Sequence, residues 1–97
     1  MYEKRTQVDK LKKELPEIEK LISEKKYGSP EIDKVDYFFS SVIALAETEP
    51  DLRDSYLIKK IEKLWIKGPG FYPDNAHTIL AIVKGLLDTL SSTVTNK

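Results

Sequence analysis

The chain has 97 residues, 40% hydrophobic and 33% charged, with sixteen basic and sixteen acidic side chains and a single histidine. That length supports one domain around one compact core, and the mix of apolar and charged residues belongs to soluble globular proteins rather than disordered ones. No cysteine is present, which excludes disulfides, thiolate catalysis and cysteine-ligated metal centres. The opening MYEKRTQVDKLKKE is charged throughout, and no apolar run is longer than Ile79 to Val83, far short of the ~20 residues a membrane span needs. These features predict a cytoplasmic protein with no transmembrane segment.

The first helix is expected from about Glu3 to Lys26. Val8, Leu11, Leu15, Ile18 and Ile22 recur at intervals of three and four, an apolar seam just over two heptads long. A seam of that length packs against the chain's own helices or against a second copy, so a homodimer through these five residues is one expectation. Pro16 interrupts the seam; it deletes a backbone donor and crowds the preceding turn, and so either kinks the helix or splits it near Leu15. Tyr27-Gly28 ends the element, with Gly28 read as the glycine just past a helix terminus. Ser29-Pro30-Glu31 then reads as cap, first-turn proline and first-turn acid.

The second helix is expected to reach about Glu47, with Ile32, Val35, Phe38, Phe39, Val42, Ile43 and Ala46 on its apolar face. The third starts near Pro50 and ends at Ile66, with Leu52, Tyr56, Leu57, Ile61, Leu64 and Trp65 as its buried side. After GPGFYPDN, Asp74 is placed to cap a fourth helix running to about Ser91, with residues 91–97 a frayed tail. Ile79, Leu80, Ile82, Val83, Leu86, Leu87 and Leu90 make this helix apolar nearly all round, which predicts that its neighbours enclose it. No period-two alternation signals a strand. The expectation is one all-α domain over residues 1–97, an antiparallel up-and-down four-helix bundle.

Charge is uneven along this plan. Residues 29–51 carry one basic and six acidic side chains, and residues 52–67 carry five basic and two acidic. The simplest reading is solvated helix faces that pair internally. Arg53, Lys60, Lys63 and Lys67 recur along the third helix, and such a stripe can follow a phosphate backbone. The chain as a whole is neutral, with a calculated pI near 6.6, whereas nucleic-acid domains are usually basic overall. Nucleic-acid binding is therefore kept as the alternative.

For catalysis, every serine would depend on His77, which lies in the first turn of the fourth helix where the helix terminus disfavours an imidazolium. There is no Glu-x-x-His pair, no His-Glu-x-x-His and no P-loop. No catalytic residue, metal ligand or cofactor is assigned, and the chain reads as a non-enzyme. Protein recognition remains. Trp65, Phe71 and Tyr72 gather around the proline-stiffened third loop, with Lys67 and His77 beside them. Such aromatics lose little entropy on binding. Phe71 has two open readings, a lid on the bundle end or a contact residue.

The layout resembles the bacteriocin immunity proteins of Gram-positive bacteria, the enterocin-A-immunity-like group. The resemblance is carried by the lysine-rich first helix, the Gly/Ser/Pro break, LIKKIEKLWI, the FYP loop and TILAIVKGLLDTL. It spans most of the chain as a pattern. It implies a cytosolic four-helix bundle that protects the producer cell by binding a toxin–receptor complex. Within it, Phe71, Tyr72 and the exposed side of the fourth helix are the expected recognition region. The polar tail after Ser91 is shorter than is common in that group. FYP before a helix is also similar to a stretch in colicin DNase immunity proteins, which are strongly acidic where this chain is neutral.

Overall fold

The computed structural model describes residues 2–26, 28–66, 70–71 and 75–95. In chain order these form α1 (Tyr2–Ser23), α2 (Ser29–Glu47), α3 (Pro50–Arg53), α4 (Tyr56–Leu64), β1 (Trp65–Ile66), β2 (Gly70–Phe71) and α5 (Ala76–Thr95). The protein is all-α apart from the two-residue strands, which pair antiparallel with Trp65 opposite Phe71 and Ile66 opposite Gly70.

α1 runs unbroken through Pro16. The proline is exposed, so the turn that loses its donor lies on the side where water reaches the freed carbonyl. The expected break is absent for that reason. The helix ends differently from the sequence expectation. Lys25 takes the left-handed conformation, at φ 54°. Its amide donates to the Ile22 carbonyl at 3.1 Å, and the Lys26 amide donates to Leu21 at 2.9 Å, the paired bonds of a Schellman terminus. Gly28 instead sits at the N-cap of α2 with extended backbone, φ −64° and ψ 164°. Ser29, expected at the cap, consequently lies inside the first turn, where Pro30 was expected and is found.

Side-chain links fix how the long helices run. Lys4 Nζ donates to Glu49 Oε1 at 2.8 Å and Lys34 donates to Glu17 Oε1, so α1 and α2 are antiparallel. Lys84 Nζ reaches Glu19 Oε2 at 3.1 Å and Lys12 Nζ reaches Ser91 Oγ at 3.1 Å, so α5 is antiparallel to α1 and parallel to α2. These three helices pack on one another, and α4 lies against α5.

The core joins Val8, Leu11, Ile18 and Ile22 of α1 to Phe38, Phe39 and Val42 of α2 and to Ile79, Val83, Leu86 and Leu90 of α5. Phe38 and Phe39 meet edge to face, with ring centroids 6.4 Å apart. The seam expected to serve a homodimer is thus consumed internally: Val8 and Ile22 are fully buried, Leu11 and Ile18 nearly so, and Leu15 packs against the same core. Removing those side chains from the interior to pair with a second copy would expose the core they hold together.

The third helix departs most from expectation. Asp54 closes α3, and Ser55 starts α4: its Oγ accepts from the Leu57 amide at 3.1 Å and its carbonyl accepts from Ile58 at 3.1 Å, the geometry of an N-cap. The restart resets the helical phase. Tyr56, expected inside, is 69% exposed, and Ile58, which the unbroken phase left out, is 2% exposed. Residues 65–66 are extended rather than helical. α5 continues to Thr95, beyond the Ser91 end expected.

Candidate functional site

The described interior is apolar with one exception. Glu49 is buried at the junction of α2 and α3, where Lys4 meets its carboxylate. No group of three His, Asp or Glu side chains is placed to hold a metal ion, and no helix is long and apolar enough to cross a membrane, among the described residues. Distinctive chemistry therefore has to be sought on outer faces.

The first is the end carrying the aromatic loop. The β1–β2 pairing puts Trp65 and Phe71 directly across from one another in backbone register, and β2 lies against α2. Asn75 Nδ2 donates to the Leu64 carbonyl at 3.1 Å, tying the start of α5 to the last turn of α4 across the base of the ribbon. His77 is exposed in the first turn of α5. Of the five residues expected to bind a partner, the structure therefore gathers Trp65, Phe71 and His77 at one end. Lys67 and Tyr72 lie outside the described residues, and so do the side chains of Trp65 and Phe71 that would decide between lid and contact.

The second is the outer side of α5. Ala81, Gly85, Asp88 and Thr89 are exposed, and a Cβ built on Gly85 meets nothing within 4 Å. The helix is consequently not enclosed all round: it keeps a strip of small side chains toward solvent while Ile79, Val83, Leu86 and Leu90 face the core.

The basic stripe does not form as expected. Arg53 belongs to α3, Lys60 and Lys63 to α4, and the turn at Asp54–Ser55 separates them; Lys67 is outside the described residues. Arg53 Nε lies 3.9 Å from the neighbouring Asp54 Oδ2. In the acidic segment Glu49 meets Lys4, and Lys34 meets Glu17 of α1; among the described residues no ion pair joins that segment to Arg53, Lys60 or Lys63. Among the described residues, no carboxylate lies within ion-pair distance of Lys59, Lys60 or Lys63.

A third feature, absent from the sequence reading, is a groove of about 440 Å³ between α1 and α2, walled by Gln7, Lys10, Leu11, Glu14, Tyr37, Ser41, Ala44, Leu45 and Thr48. Tyr37 stands at its edge, 67% exposed. The sequence carried a signal for it, since Ser41, Ala44 and Thr48 put short side chains on successive turns beside the seam and leave space unfilled.

Comparison with protein-family models, curated proteins and solved structures finds no match to this chain.

Proposed function

We propose that this chain is a non-enzymatic, cytoplasmic helical module that binds another protein, and in its most concrete form a bacteriocin immunity protein. On this reading the fold is an antiparallel up-and-down four-helix bundle whose third rod is divided into α3 and α4. One observation carries the proposal. α5 buries its large side chains against α1 and α2 yet keeps Ala81, Gly85 and Thr89 outward, and the ribbon that sets Trp65 opposite Phe71 adjoins the start of the same helix, where Asn75 bonds to Leu64. Small side chains let a partner's backbone approach closely, and aromatic residues next to them supply anchoring area.

The test is protection. A sensitive strain expressing the chain is challenged with a panel of bacteriocins; the proposal expects clearly raised survival against one of them. Gly85→Arg should abolish that protection without loss of helical signal, because Gly85 faces open space. Unchanged survival across the panel removes the immunity version.

A second reading, a nucleic-acid-associated regulator, is supported by the outward Lys60 and Lys63. It expects binding that falls steeply as salt rises, through counterion release. Fluorescence anisotropy with duplex DNA and with RNA at low salt checks this, and a flat titration eliminates it.

A further inference from the structure

The restart at Ser55 turns Tyr56 to solvent and joins it to the lysines of α4 on one outer face. At 100° per residue, Tyr56, Lys59, Lys60 and Lys63 fall within an arc of about 100° on α4, while Leu57, Ile58, Ile61 and Leu64 fall on the opposite side. The structure agrees with that division. Ile58 and Ile61 are in the core, Leu57 and Leu64 pack against it, and Tyr56, Lys59, Lys60 and Lys63 are exposed. The inner face anchors the helix so that the outer face is held in one orientation.

The three ammonium groups have no described carboxylate within ion-pair distance, so their charge is directed outward. The chain's net charge is zero, and any attraction must be local. At physiological ionic strength charges beyond about 8 Å are largely screened, so carboxylates on remote helices do little to cancel this cluster, and α4 itself carries one acid, Glu62, against three lysines. Three lysines on one short helix neutralise at most about three phosphates, fewer than the roughly six to ten contacts of a strongly salt-dependent duplex binder. A short row of lysines led by an exposed tyrosine suits a plane instead. Lysine stems lie along an apolar boundary with their charges among headgroups, and tyrosine places its ring at the same level.

We infer that the outer face of α4, formed by Tyr56, Lys59, Lys60 and Lys63, docks reversibly on an anionic lipid surface. The inference is independent of the immunity proposal, because it requires no toxin or receptor. Each lysine near such a surface strengthens binding about fivefold, so the three together account for about 100-fold.

The experiment is co-sedimentation of the full chain with vesicles of phosphatidylcholine alone and of phosphatidylcholine mixed with phosphatidylglycerol. The inference expects binding to the mixed vesicles only, weakening as sodium chloride is raised. The triple variant Lys59→Gln, Lys60→Gln, Lys63→Gln should bind about 100-fold more weakly with its circular dichroism unchanged, since all three side chains are exposed. Tyr56→Ala should weaken binding by a factor that salt does not alter. No binding to the mixed vesicles at low salt overturns the inference, as does a folded triple variant that binds as well as the parent. Lysine-dependent binding to duplex DNA that outcompetes the vesicles overturns it in favour of nucleic acid.

Discussion

Lys25 holds a backbone conformation that costs a residue with a Cβ roughly 1 kcal/mol, because the Schellman bonds from Lys25 and Lys26 require φ 54° there. Glycine removes that cost. Lys25→Gly should therefore raise unfolding free energy by about 0.5–1 kcal/mol, measurable by urea denaturation, with little change in slope. A loss of stability would mean that the left-handed terminus is not formed. The sequence pointed to Gly28 for this role, since glycine is the usual sign of a helix stop. A lysine in that position is invisible to such a rule. Ser55 is a parallel case. Its Oγ accepts from the Leu57 amide, so Ser55→Ala should cost about 1 kcal/mol in the same assay, while a neutral result would argue against the restart of α4. Asp-Ser is a familiar helix-start signal, but it lies inside an apolar pattern from Leu52 to Ile66 that reads as one helix.

At the scale of elements, α1, α2 and α5 were legible because each carries an apolar face over about twenty residues, where helical period is unambiguous. Pro16 looked disruptive from sequence because its effect depends on which side of the helix it faces, and periodicity does not weigh that. The segment 50–66 was misread for the opposite reason. Two short helices and a strand, joined by a two-residue turn, mimic one long helix in composition while their phases differ. The decisive pair is Tyr56 and Ile58. Thermal unfolding should show Ile58→Ala losing about 2–4 kcal/mol and Tyr56→Ala less than about 0.5 kcal/mol, given exposures of 2% and 69% respectively. The reverse order would restore the unbroken helix. The candidate recognition end was partly legible: the aromatic loop stood out in sequence, but the backbone pairing of Trp65 with Phe71 depends on strand register, which had no alternating pattern to announce it.

For the whole molecule, core packing is unevenly divided between the helices. Among the described residues α5 buries Ala76, Ile79, Leu80, Val83, Leu86, Leu87 and Leu90, α2 buries Val35, Phe38, Phe39, Val42, Ile43 and Ala46, and α4 buries only Ile58 and Ile61, with Leu57 and Leu64 packed partly buried against the core. Leu86 is fully buried among three helices, and Leu86→Ala should cost about 2–5 kcal/mol, with chemical denaturation as the check. α3 has no buried residue, and α4 is a nine-residue helix, too short to be stable without its contacts. The segment carrying the lysine face and leading into the aromatic ribbon is thus held to the core by few side chains, while the three long helices hold one another. Native-state hydrogen exchange followed by NMR tests that division most directly. The account predicts that amides of Ile18, Val42 and Val83 open only with global unfolding, and that amides within α4 open at a free energy about 1–3 kcal/mol lower. Protection in α4 equal to that of the three long helices would contradict it.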